Sequence, residues 1–570
     1  MENEAVKEFR ARVEEFTKQY LATYKPKPYR NSSESKKVIH DPVWGSTYFY
    51  SWEMAVLDSP LLQRLRLIKQ VGMAHLVYPT ARHTRFDHTL GVMSLVSRIA
   101  SALNEKAPSN THVNVSKPRE YDLRMAAALH DVGHCLFSHV SERIYMHTKE
   151  FKSVSVWLNS ELNVDPKPHE IMSYLIVTSD QFRQFFDRVM DDTHITPQYV
   201  KQQLDLEFVA NAIVGYWKGK PRERYLVEII CGPLDADKLD YLARDAYFAG
   251  LSIVYDINRY MVTIHCADEE MEPVGNLHHT KKSLALKLPL SGITALEQIL
   301  ISKMMLYSYM YHHQKVLAAE SMLMQVFEDF SKGGTVELDG MFISHPVDLL
   351  YHTDDAVERL LNSHRGQPTG AGDASTLDIC LMLARRDLVK RALVFSRLFV
   401  KHLCDEQGPN HNNALIGFNR LVSDLSEPAS RRLFRRDVYE RALPMLDDDR
   451  KRGFSERTVI IDFPMSPDVK EVENMVVPTE PTGDAEVELK KLFPLKEWAE
   501  SYGALQWRGY VFTVSGYRKE ICDATIELVK EKYGLELTQE AVGQCSIPIT
   551  DCDSATTAIM KETTQLSLDI

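Results

Sequence analysis

Three histidines and an aspartate fall within LHDVGHCLFSH, residues 129–139, in a stretch otherwise apolar or small. Imidazole and carboxylate side chains ligate divalent metals and shuttle protons, so a dense group of them in a core-like context points to metal or acid–base chemistry. Two other segments offer partners. In RHTRFDHTLGVMSLVSRIASAL, residues 82–103, Val92, Leu95, Val96, Ile99, Ala100 and Leu103 keep helical spacing, and His88 lies one turn before Val92 on the same inward stripe. In GPLDADKLDYLARDAYFAG, residues 232–250, Gly-Pro and Gly250 mark the ends of a helix on which Leu234, Asp237, Lys238, Tyr241, Leu242 and Asp245 share one face. Taken singly, His88 reads as a hydrogen-bonded core histidine, and Asp237 or Asp245 as an ion-pair partner of Lys238 or Arg244. Taken together, two histidines and two aspartates on three helices read as a site for Mn, Fe, Zn, Ni or Mg, because buried acids need a cation to offset their desolvation.

Such a site needs a helical shell. Mostly helical periodicity runs from about residue 37 to 330, and the 26-residue polar excursion at 265–290 reads as a small hairpin. Before it, Val6, Phe9, Val13, Phe16 and Tyr20 form one apolar stripe, which is expected to lie on its own domain rather than to make an oligomer contact. Residues 331–456 read as a helical lobe, interrupted at 363–376 by a glycine-containing loop that lacks the G-K-[ST] ending of a P-loop. RTVIIDFP and RGYVFTVS read as strands of a small α/β appendage over 457–535, with a Pro- and acid-rich linker between them, and 536–570 as a flexible tail. The expected class is mainly α: residues 1–36 are an N-terminal helix and linker, and 37–330 form the catalytic core.

Composition narrows the function classes. At 570 residues the chain is long enough for two to four structural units, and its 44% hydrophobic and 26% charged content is that of a globular protein. No apolar run is long enough to span a bilayer, so no membrane partner and a cytoplasmic location are expected. The eight cysteines include no C-x-x-C pair, which argues against a disulfide framework or zinc ribbon. A net charge of −12 opposes general attraction to nucleic acid, so a small ligand is favoured. Arg431, Arg432, Arg435 and Arg436 read as a solvated face, with a phosphate or nucleic-acid contact as the sharper alternative. The terminal QLSLDI faintly resembles a sliding-clamp docking motif.

RFDH, ALHDVGHCLFSH and DADKLDYLARD, in this order, resemble the HD-domain phosphohydrolases, and within them the deoxynucleoside triphosphate triphosphohydrolase branch. The likeness begins at KKVIHDPVWG, continues through DSPLLQRLRLIKQVG and weakens toward residue 330. No counterpart of the sterile alpha motif domain carried by one member is expected in residues 1–36. The resemblance implies a single divalent ion on His88, His130, Asp131 and Asp237, and phosphates surrounded by His134, His139 and His169. It makes His169 the general acid, with His134 and Asp131 also in the catalytic group. It assigns Arg85, Lys238 and Tyr241 to phosphate and sugar, Gln70 and Asp245 to the deoxyribose 3′-hydroxyl, and Tyr311 to the face of the sugar, where it disfavours a 2′-hydroxyl. Lys303 stands where the family has a phosphate-binding arginine, keeping charge but losing a bidentate fork. Lys37, Asp58, Gln63, Arg66 and Arg259 match a nucleotide-activator site, although His40 replaces an asparagine there. Activation by a nucleotide and assembly into dimers or tetramers are therefore expected. The competing readings are an HD phosphatase or phosphodiesterase on another nucleotide, and a non-catalytic nucleotide-sensing or nucleic-acid-binding module.

Overall fold

The apolar stripes become helices in the computed structural model, which describes all residues except 1–2, 107–113, 218, 254, 271–281, 339, 364–375, 404–409, 465–475, 479–485, 489–506 and 544–570. The fold is mainly α, with small sheets of two or three strands among the described residues. No helix among them is long and apolar enough to cross a membrane. Residues 364–375 of the expected loop, most of the acidic linker, and the tail from 544 with its clamp-like ending lie outside the described residues.

The chain divides into two units: 1–370 with 375–388 and 466–503, and 371–374 with 389–465 and 504–570. In the first, the N-terminal helix Glu4–Leu21 starts where the Asn3 carboxamide accepts a hydrogen bond from the Val6 amide at 2.9 Å. Its stripe of Val6, Phe9, Val13 and Phe16 is fully buried, packed on helices Lys149–Leu162 and Asp180–Asp191 of the same unit, as expected. The hairpin Lys36–Asp41 and Gly45–Tyr50 precedes the central helix Arg85–Lys106, which lies against Lys117–Leu129 on one side and Ala236–Ala249 on the other. That centre is held by charge as well as apolar packing: the buried Arg124 guanidinium donates to both oxygens of Glu53, at 2.6 and 2.7 Å. The excursion at 265–290 contains an antiparallel pair, His265–Glu270 with Lys282–Lys287.

In the second unit, strand Gly509–Thr513 lies between Lys390–Phe395 and Ile460–Asp462, all antiparallel, and helix Arg518–Tyr533 packs on the edge strand. The strands expected at 457–464 and 508–515 are thus present. Lys390–Phe395 is not helical as expected, and the anticipated boundary at 456 runs through this unit. KRALVF is too short an apolar run for periodicity to separate strand from helix, and its pairing partner is more than a hundred residues away.

Candidate metal centre

Helix Arg85–Lys106 begins one residue after Thr84, whose amide donates to the Asp87 carboxylate at 2.9 Å, so His88 falls in the first turn facing inward. His88 is fully buried. His130 ends helix Lys117–Leu129, and Asp131 belongs to the turn that follows, so these two do not sit within a helix as expected. The helix end is useful here. The Ala127 carbonyl has lost its intrahelical donor and accepts from His130 Nδ1 at 2.8 Å. That bond places the proton on Nδ1 and leaves the Nε2 lone pair facing the centre. Gly133 permits the turn to press on the neighbouring helix Pro168–Thr178, since a Cβ there would lie 2.4 Å from the Ser173 amide and 2.5 Å from the His169 carbonyl.

Asp237 comes from the first turn of helix Ala236–Ala249, which starts after Gly-Pro and is capped by Asp235. Its Oδ1 is 2.9 Å from His88 Nε2 and 3.9 Å from His130 Nε2, and the two imidazole nitrogens are 3.4 Å apart. A proton on His88 Nε2, or a cation in its place, satisfies these converging acceptors. His88 Nδ1 meets Asp240 Oδ2 at 2.7 Å, the carboxylate–histidine arrangement that fixes a metal-binding tautomer. Burial alone would lower His88, yet Asp237, Asp240 and Asp131 outweigh it and push the group to about 10. The same field favours a bound cation. Nitrogen and oxygen donors from His88, His130 and Asp237 lie within 4.8 Å of one another and can hold a metal ion, and this donor set suits a divalent transition metal. Asp131 stands beside them with Oδ2 bound by Arg85 at 2.9 Å and Oδ1 3.4 Å from His130 Nε2.

Behind Asp131 lies a second group: His134, His139, Glu142 and His169. Glu142 Oε1 accepts from His169 Nδ1 at 2.7 Å and lies 3.2 Å from His139 Nδ1, while the His134 and His169 rings stack with centroids 4.0 Å apart. Burial and the nearby Arg85 and His169 hold His134 well below its ordinary pKa, hence neutral. Burial also pulls on His169, but Glu142 overrides it and raises that imidazole. His139 is 58% exposed and marks the open side of the group.

A third group is built on Asp245, whose Oδ1 is 2.7 Å from His83 Nε2 and whose Oδ2 accepts from the Tyr311 hydroxyl. Tyr311 ends a π-helical turn, Tyr307–Tyr311, and the His83 carbonyl accepts from the Gln70 amide at 3.0 Å. Buried Gln70 thereby joins this group through its backbone.

Tyr241 lies within electrostatic reach of Asp237 and Tyr311. Lys238 Nζ is tied to the Gly232 carbonyl and to Asp235, each at 2.8 Å, near the start of its own helix. Tyr241 is half-buried on that helix, and Lys303 lies in the last turn of helix Ile293–Leu306. Of the outer positions, Gln63 accepts from Arg66 at 2.8 Å, Arg259 donates to the Ser291 carbonyl, Lys37 is on the first hairpin, and Asp58 follows helix Ser51–Leu57. Exposed His40 Nδ1 lies 3.4 Å from Ser46 Oγ.

Residues 85–211 match the HD domain family model. The chain carries an HD domain. This HD domain supplies His88, His130, Asp131 and the imidazole group, whereas Asp237, Asp245 and Tyr311 come from beyond the matched residues. The chain is 30% identical over 272 residues to the deoxynucleoside triphosphate triphosphohydrolase SAMHD1 of Bos taurus, covering 44% of each protein. It is 29% identical over 265 residues to the SAMHD1 homologue of Dictyostelium discoideum, covering 45% of this chain and 46% of that protein. It is also 29% identical over 288 residues to an uncharacterised protein of Methanocaldococcus jannaschii, covering 50% and 48%. The chain thus spans about half the length of the curated relatives it matches.

Asp240, Glu142 and His83 were not picked out by pattern. Asp240 lies off the stripe of Asp237 and Asp245, but the helix is buried on two sides, and Arg244 and Trp44 hold Asp240 against His88. The sequence offered only an acid and a base four residues apart, which ordinarily reads as a solvated pair. Gly91 makes room for this arrangement: a Cβ there would lie 1.9 Å from Asp240 Oδ1 and 2.3 Å from an Arg244 nitrogen. Gly91→Ala should cost about 1–3 kcal/mol of stability and weaken metal affinity about 10–100-fold, measured by denaturant unfolding and metal titration.

Proposed function

We propose that this protein is a metal-dependent hydrolase of deoxynucleoside triphosphates, releasing a deoxynucleoside and inorganic triphosphate. One observation carries the reading: the His88–His130–Asp237 centre adjoins both a buried imidazole group and, through Arg85 and the Gln70 carbonyl, the Asp245–Tyr311 pair. These supply cation, proton and sugar sites respectively.

His88, His130 and Asp237, with Asp131 alongside, would hold a divalent ion, which when bound would supply Lewis acidity toward phosphoryl oxygens and make water more acidic. Arg85, buried and fixed between Asp131 and Ser138, offsets negative charge on the α-phosphate. Lys238 and Lys303 add positive charge toward the outer phosphates. Water attacks the α-phosphorus and yields one proton to the medium, the bond to the 5′-oxygen breaks, and His169 delivers its Nε2 proton to that oxygen, having been held as the imidazolium by Glu142. Asp245 accepts from the 3′-hydroxyl, and the Tyr311 ring covers the sugar face where a ribose would carry its extra oxygen.

The test is product analysis after incubation of purified protein with the four dNTPs and Mn, Fe, Mg, Zn or Ni. Triphosphate with deoxynucleoside supports the reading; orthophosphate or a nucleoside monophosphate would replace it with a phosphatase or phosphodiesterase. Tyr311→Ala should narrow the preference for dNTP over NTP about tenfold, read as the ratio of kcat/KM values. For Lys37, Asp58, Gln63, Arg66 and Arg259 the corresponding proposal is a nucleotide-activator site coupled to dimer or tetramer formation. A sedimentation coefficient unchanged by added nucleotide counts against it.

A further inference from the structure

Asp354 opens helix Asp354–Ser363, more than 140 residues past the HD-domain match, and is 1% exposed. Both its oxygens are committed to backbone amides beside the metal centre: Oδ1 accepts from Phe137 N at 2.6 Å and Oδ2 from Lys69 N at 2.9 Å. Lys69 Nζ lies 3.6 Å from the same carboxylate. Burial pushes the Asp354 carboxyl up to about 6, with Lys69 and the two amides pulling the other way.

The two anchored segments need such a hold. Phe137 and Ser138 are consecutive non-glycine residues with φ of 54° and 56°, a backbone conformation that persists only where its surroundings impose it. Ser138 Oγ donates to the Lys69 carbonyl at 2.6 Å and accepts from Arg85 Nε at 2.9 Å, and Arg85 Nη1 donates to Asp131 at 2.9 Å. A continuous set of bonds therefore runs from Asp354 through the turn to the guanidinium.

We propose that Asp354 is a positioning residue for Arg85: by clamping the Phe137 and Lys69 amides it fixes the Ser138 hydroxyl and, through it, the orientation of the guanidinium toward phosphate. This rests on the hydrolytic reading for its kinetic consequence but not for its geometry. Asp354 touches neither the metal ligands nor the imidazole group in the contacts described above.

The experiment uses full-length protein loaded with Mn²⁺ and an equimolar mixture of four dNTPs. Asp354→Asn keeps the volume but offers one acceptor oxygen instead of two. It should leave metal content unchanged and raise KM so that kcat/KM falls about tenfold. Ser138→Ala, which breaks the relay without touching the later helix, should give a similar loss, and the two should not add. In an Arg85→Ala background Asp354→Asn should change kcat/KM less than about twofold. An equal loss in both backgrounds, or wild-type kinetics for Asp354→Asn, overturns the proposal. If the wild-type protein releases no product from dNTPs, the hydrolytic reading fails instead. The clamp is then judged from the Arg85 Nε–H resonance, assigned by its loss in Arg85→Lys. Slow solvent exchange that is lost in Asp354→Asn sustains the proposal, and exchange unchanged by that substitution refutes it.

Discussion

Asp237→Ala is expected to yield a folded protein that has lost its divalent ion and hydrolyses dNTPs about 10³-fold more slowly or worse. Asp237 is the carboxylate that closes the centre: its Oδ1 is within 4 Å of both His88 Nε2 and His130 Nε2. Without it, two imidazoles remain, a set that binds first-row ions weakly and offsets none of their charge. The neighbouring Asp131 is a poor substitute because Arg85 already occupies one of its oxygens. Metal content after dialysis, by elemental analysis, and turnover by product chromatography measure the two losses together. A variant that keeps a full equivalent of metal and wild-type turnover would show that the ion, if any, sits elsewhere. Unfolding temperature serves as the control, since Asp237 is partly exposed and its removal opens no sealed cavity.

His169→Ala should lower kcat about 10²–10⁴-fold while metal content stays at the wild-type level, separating proton delivery from ion binding. The loss should shrink for a phosphodiester whose leaving group is an acidic phenol, because such an oxygen departs without a proton. The pH profile supplies a sign. Burial lowers His169, but the Glu142 carboxylate at 2.7 Å raises it above its ordinary value, so the acid stays protonated further toward alkaline pH. A general acid works below its own pKa and fails above it. Glu142→Gln removes the charge that raises His169, so the alkaline limb of kcat should move to lower pH. An alkaline limb unmoved by Glu142→Gln would exclude His169 as the group that titrates there.

The HD pair with its flanking histidines was legible because ligand-type residues at 88, 130, 131, 134 and 139 are dense in an otherwise apolar context, and because helical period alone turns His88 and Asp237 inward. The mainly α class, the N-terminal stripe, the hairpin near 265–290 and the strands at 460–462 and 509–513 were readable for the same reason: each rests on patterns local in the sequence. Strand Lys390–Phe395 was not, since six apolar-rich residues fit either period until a distant strand pairs with them.

The sequence by itself thus singled out the side chains that gather at the candidate centre, and helical spacing aimed several of them inward. Tertiary structure alone decided how they are tuned. Asp240 orients His88 across 152 positions, Arg64 holds the turn after Asp131 by donating to the Val132 and His134 carbonyls, and Asp354 reaches back 217 positions to the Phe137 amide. Hydrogen bonds of this kind leave no period in the chain: one partner is often a backbone group, which every residue type presents alike, and the other is a lone acid or base indistinguishable from a solvated one until the fold closes around it.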